Sequence, residues 1–141
     1  MVNREAVAEW VAALRSGEYT QGTGALKQDN EQGTRHCCLG VACEVFAERL
    51  GLTERVSQAG THLFDNFEGN LPPDVQAHLG LHGASPYVNT SPGKEVSLVR
   101  MNDDCGKTFA EIADAIERTY LTDVLTLDSE VGESTVGKGG S

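Results

Sequence analysis

Three of the four cysteines in this chain lie in one short segment, Arg35-His36-Cys37-Cys38-Leu39-Gly40-Val41-Ala42-Cys43. No other stretch narrows the possible folds as far. Neighbouring Cys37 and Cys38 cannot share an unstrained disulfide. The segment is therefore either a reactive or metal-binding site, or the buried start of a helix carrying small sulfur side chains. Its neighbours favour burial. Cys38, Ala42, Val45, Phe46 and Leu50 recur at the spacing of one helical face, Leu39 and Val41 add apolar surface, and Gly51 ends the pattern. The spacing predicts a helix from about Cys38 to Leu50.

Other elements are read the same way. Asn3 can cap a helix over residues 4–16 that stops at Gly17, with Ala6, Trp10, Ala13 and Leu14 on one face. Two short strands, near 24–27 and 34–37, are expected to pair across a polar loop holding Asp29, Asn30 and Gly33. Val56 and Leu63-Phe64 suggest one or two more strands. Pro72-Pro73 opens a short helix with Val75 and Leu79 inward and Gly80 at its end. Residues 81–94, rich in glycine and proline, read as loop, and Ser97 is expected to cap one helical turn through Met101. Thr108-Phe-Ala-Glu111 is a capping box, with Phe109, Ile112, Ala113, Ile116 and Tyr120 forming a stripe behind it. Asp114 and Arg118 are expected to pair on the wet side.

These elements predict an α+β fold: a single small domain over 1–121, with about four helices and a small antiparallel sheet or hairpin, followed by a flexible acidic tail over 122–141. The expected core is Trp10, Leu14, Leu26, Cys38, Val41, Ala42, Val45, Phe46, Val75, Leu79, Leu98, Phe109, Ile112 and Ile116. With 21 acids against 11 bases the net charge is −10, and no basic block is present. That argues against tracking a nucleic-acid backbone and favours a basic partner surface. No apolar run approaches a bilayer span. Unpaired cysteines without a secretory leader pattern point to a reducing cytoplasm.

In combination, the runs Trp10-Val-Ala-Ala-Leu-Arg-Ser-Gly-Glu-Tyr19, Gln21-Gly-Thr-Gly-Ala-Leu-Lys27 and Cys37-Cys-Leu-Gly-Val-Ala-Cys43 are distinctive. So are Leu71-Pro-Pro-Asp-Val75, Leu79-Gly-Leu81, Ser97-Leu-Val-Arg-Met-Asn-Asp-Asp104 and Gly106-Lys-Thr-Phe-Ala-Glu-Ile-Ala-Asp114. Together they resemble a family of small uncharacterised proteins of tailed phages and prophages. The resemblance implies an accessory phage protein acting in the bacterial cytoplasm during infection, and it carries no assigned chemistry. Two departures stand out. Cys105 is one residue more than the family's Asn-Asp-x-Gly spacing allows, and His36 occupies a slot usually held by an aromatic residue, often tyrosine.

Three function classes follow. The leading one is a non-enzymatic phage protein that binds and inhibits a host factor, a component of anti-phage defence being one option. Its candidate contact patch is Asp103, Asp104, Glu111 and Glu117. The second is a protein that sequesters a small nucleotide-type signal, held by Tyr19, Gln21, Gly22, Gly24, Lys27 and Arg35. Glycine there lets backbone amides approach an anion, although Lys27 lacks the following Ser or Thr of a Walker loop. The third is a Cys/His-dependent or metal-dependent enzyme with Cys38 as nucleophile and His36 as base. Zinc spacing argues against a metal, because no second ligand pair follows the first. No cofactor is implied. Asn102-Asp103-Asp104 reads as the end of one helix and the start of the next rather than a cation loop. His62, His78 and His82 read as isolated singles.

Overall fold

The structure, a computed structural model, describes residues 2–81, 83, 85–91 and 94–121. Helix α1 (Arg4–Arg15) starts where the Asn3 side chain accepts a hydrogen bond from the Ala6 amide at 3.2 Å. It stops before Gly17, whose φ of +79° a residue with a Cβ would resist. Its inner face buries Ala6, Val7, Trp10, Val11 and Leu14.

The first hairpin lies later than the sequence predicts. Strands β1 (Lys27–Asn30) and β2 (Gly33–His36) are joined by a two-residue turn, which places Asp29 and Asn30 inside a strand. Both residue types are disfavoured there, but here their side chains have partners. Asp29 accepts from the Thr34 hydroxyl at 2.7 Å, and Asn30 accepts from the Gln32 amide at 2.8 Å. Strands β3 (Glu54–Val56) and β4 (Thr61–Phe64) complete an antiparallel sheet in the order β2-β1-β4-β3.

Helix α2 (Cys38–Leu50) follows β2 after one residue and is the centre of the molecule. From Cys38 to Cys43 every residue is buried, not only one stripe, because α1, α3 (Pro73–Leu79) and α4 (Leu98–Asp103) all pack on it. Further on, the ordinary half-buried pattern returns; Val45 is partly exposed, whereas the other expected core residues are buried.

Residues 87–97, expected as loop and a cap, form a second hairpin, β5 (Tyr87–Ser91) and β6 (Lys94–Ser97). Its β5 edge is held by distant residues. The Tyr120 hydroxyl donates to the Tyr87 carbonyl at 2.5 Å, and the Asn89 amide donates to Thr119 Oγ1 at 2.9 Å. Ser97 caps α4 as expected, and the capping box of Thr108 and Glu111 opens α5 (Phe109–Ile116). That helix ends in one wide π turn, Glu117–Leu121. The expected Asp114–Arg118 pair is replaced: Asp114 bonds Arg15 of α1 at 2.6 Å, and Arg118 donates to the Asn89 carbonyl at 2.8 Å. Tertiary partners outcompete a helical pair worth only ~0.3–0.5 kcal/mol.

The described residues thus form a small α+β domain with five helices, a four-stranded antiparallel sheet and a two-stranded one. Among the described residues no helix is long and apolar enough to cross a membrane. The tail expected over 122–141, and His82, lie outside the described residues.

Candidate functional site

The cysteine segment is occupied by structural contacts. Cys37 caps α2, its Sγ accepting from the Gly40 amide at 3.4 Å, while its own amide donates to the Leu26 carbonyl at 3.1 Å. Cys38 donates from Sγ to the Leu98 carbonyl at 3.6 Å, and its carbonyl accepts from Trp10 Nε1 at 3.0 Å. Gly40 passes so close to the chain before β1 that an added Cβ would lie 1.7 Å from the Leu26 carbonyl oxygen. Burial pushes the Cys37 thiol up to about 11 and raises those of Cys38 and Cys43 well above the ordinary thiol value. Cys38 therefore lacks both the exposure and the thiolate fraction of an attacking sulfur. Cys105 is exposed.

Asn102, 2% exposed, is the hub that joins the distant motifs. Its Oδ1 accepts from the Cys38 amide at 3.2 Å and from Gln21 Nε2 at 2.9 Å. Its Nδ2 donates to the Gly22 carbonyl at 2.8 Å and to Asp103 at 2.9 Å, and Asp103 in turn accepts from the Gly24 amide at 3.3 Å. The Asn-Asp pair therefore clamps the glycine-rich turn to the start of α2. Sequence reasoning read one motif as a candidate anion-binding turn and the other as a helix boundary, and could not see that they bond to each other.

Strand alternation divides the six residues expected to share a ligand. Lys27 and His36 are cross-strand partners on the face covered by α2, and Tyr19 meets the His36 ring edge-on at 5.1 Å. Arg35, one residue before His36, points to the other face. There Gln21, Gly22 and Arg35 line a hollow of about 330 Å³ with Thr23, Gln28 and Asn30, which sequence reasoning missed. Gly24 belongs to the Asn102 clamp. Gly22 permits a close approach, since a Cβ there would lie 2.7 Å from Arg35 Cβ.

The α2-facing side carries a charge network. Lys27 Nζ lies 2.8 Å from both Glu44 and Glu54, and His36 Nε2 lies 3.1 Å from Glu44. His62 faces Glu54 through Nδ1 at 2.6 Å and Asp29 through Nε2 at 2.9 Å, so both contacts are hydrogen bonds only when each nitrogen carries a proton. The hydrogen bond from His36 holds the Glu44 carboxyl at about 2, against opposition from burial and with help from Lys27. Burial works against the Lys27 charge, but its bonds to Glu44 and Glu54 outweigh this and raise its pKa. Asp29 is lowered by His62 and then Thr34, and Tyr19 is raised by burial and then by Glu44. His36 Nδ1 is buried with no partner among the described residues. No group of three or more His, Cys, Asp or Glu among the described residues is arranged to hold a metal ion.

The expected acidic patch is not a continuous block. Asp103 is turned into the Asn102 clamp, and Glu111 serves the capping box, its carboxyl lowered by the Thr108 backbone amide. Glu117 accepts from Arg15 at 3.0 Å, which lowers it in the same way. Asp104 remains exposed at the end of α4. Between α4 and α5, Met101 and Ala115 line a hollow of about 230 Å³ together with Lys107, Glu111, Asp114 and Arg118.

The family model for a domain of unknown function, DUF8296, matches residues 2–120, so the chain belongs to that family. No curated protein and no solved structure matches it.

Proposed function

We propose that this member of the DUF8296 family is a non-enzymatic accessory protein, encoded by a phage or prophage, that acts in the host cytoplasm by binding and inhibiting a host factor. The observation that carries the reading is the sealing of Cys37, Cys38 and Cys43, each no more than 5% exposed. The same helix that looked reactive is packing material, and the imidazole of His36, next to it in sequence, faces the Glu44 carboxylate. What the domain offers outward is charge. A net −10 favours encounter with a basic surface. The α4–α5 hollow, where Met101 and Ala115 are ringed by Glu111 and Asp114 alongside Lys107 and Arg118, together with exposed Asp104 at the end of α4, is the contact that such a partner would use.

Affinity capture from bacterial lysate with the full chain tests this. One dominant host protein should be retained at low salt and released as salt rises toward 1 M, where screening shortens to about 3 Å. It should be lost from the doubly charge-reversed variant Asp104→Lys, Asp114→Lys. Identical retention by that variant would sink the proposal.

A further inference from the structure

We propose that the hollow on the outer face of the four-stranded sheet is a seat for a small phosphate monoester, gripped by Arg35. At about 330 Å³ it lies in the range of small-ligand sites. It is lined by Gln21, Gly22, Thr23, Gln28, Asn30 and Arg35, with no carboxylate, in a chain whose acids outnumber its bases 21 to 11.

Among the described residues the charge of Arg35 has no counterpart. Lys27, also partly buried, lies between Glu44 and Glu54. The guanidinium of Arg35, half-buried on the opposite face, makes one hydrogen bond among the described residues, to the Gln21 carbonyl at 3.3 Å. A guanidinium carries five N–H donors in a planar fork that matches phosphate oxygens.

Hydrogen-bond bookkeeping around it has a sign. Most acceptors in the lining are engaged: Gln28 Oε1 takes the Thr61 hydroxyl, Asn30 Oδ1 the Gln32 amide, and the Gly22 carbonyl Asn102 Nδ2. Asn30 Nδ2 and the Thr23 hydroxyl have no partner among the described residues. The hollow thus presents a surplus of donors from three residues, which suits a group with three terminal acceptor oxygens better than a two-oxygen carboxylate. The walls are already in place. The Gly22 carbonyl is pinned by Asn102, and Gln28 is pinned by the Ala59 carbonyl at 2.9 Å and by Thr61 at 2.7 Å. Little ordering remains to oppose binding. The lining holds no aromatic ring, so a base would find nothing to stack on. Recognition then stops at the phosphate and the sugar hydroxyls, chemistry shared by a sugar phosphate and a nucleoside monophosphate.

The test is an amide-shift titration of the full chain at constant ionic strength with ribose 5-phosphate, adenosine monophosphate and citrate. Saturable shifts at Gly22, Thr23, Asn30 and Arg35 are expected with both phosphates, with affinities within a few-fold of each other. Arg35→Gln should weaken both at least about tenfold, as loss of a charge-assisted pair implies. Asn30→Asp, which introduces a carboxylate without touching the arginine, should do the same, and both variants should keep the parent far-UV spectrum and thermal midpoint. The proposal is overturned by no saturation up to about 10 mM, by an equal response to citrate, by a preference above about tenfold for the nucleotide, or by undiminished binding in Arg35→Gln.

Discussion

Replacing Gly40 by alanine sets two physical effects against each other, and the structure says which wins. In a helix interior alanine is better than glycine by about 1 kcal/mol, so propensity alone predicts a more stable protein. The added methyl would lie 1.7 Å from the Leu26 carbonyl oxygen and 2.5 Å from its carbon. Those atoms are backbone, and Leu26 is fully buried, so relief requires moving a main-chain segment inside the core. Overpacking of this kind costs about 1–3 kcal/mol. The displaced carbonyl is also the acceptor for the Cys37 amide at 3.1 Å, and leaving that buried pair unmade costs about 1–3 kcal/mol more. After the propensity gain is subtracted, Gly40→Ala should destabilise by about 1–5 kcal/mol. Urea unfolding followed by Trp10 fluorescence measures this as a lowered midpoint at unchanged slope. Gly69 is the control: nothing lies within 4 Å of its added Cβ, so Gly69→Ala should be neutral or stabilising by about 0.4–1 kcal/mol. An unchanged or raised midpoint for Gly40→Ala would refute the close approach of α2 to Leu26.

Three further outcomes are expected. Glu44 has a folded pKa of about 2 against an ordinary 4.5. Its stabilisation is therefore complete above the unfolded value and disappears as pH falls from there through the folded one. Glu44→Gln should flatten the acid limb of the stability curve between those values, removing on the order of 2 kcal/mol of pH dependence once partial exposure is allowed for; a limb as steep as the parent's would contradict the network. Thr108→Ala should lower stability by about 1 kcal/mol by opening the capping box, read as a shift in thermal midpoint, and no shift would mean that α5 does not depend on its cap. A thiol reagent should label Cys105 quickly in the native protein and the other three cysteines only on unfolding, so rapid native labelling of a second thiol would contradict the sealed segment.

The helices were legible because their evidence is local. Asn3, Gly17, Gly51, Gly80, Ser97 and the Thr108–Glu111 box each mark a boundary that the structure places within a residue or two. The strands were less so. Asp29 and Asn30 look like turn residues until Thr34 and Gln32 are beside them, and the β5 segment, inside the stretch 81–94, reads as loop until Thr119 and Tyr120 hold its edge. Of the expected ligand set, Gln21, Gly22 and Arg35 share the hollow while Lys27 and Tyr19 lie across the sheet. One residue of register decided that separation. Nothing in the order of residues marks Asn102 as the clamp on Gly22, since that bond spans most of the chain.

The amino-acid order by itself determined where helices begin and end and which positions must leave water, because helical hydrogen bonds close within four residues and the apolar period repeats along the same stretch. Whether a cysteine is a nucleophile or a packing atom was decided elsewhere. The segment 37–43 is inert because α1, α3 and α4 arrive from distant parts of the chain and exclude water from its sulfurs. A thiol's reactivity follows from its surroundings, and those surroundings exist only once the chain has folded.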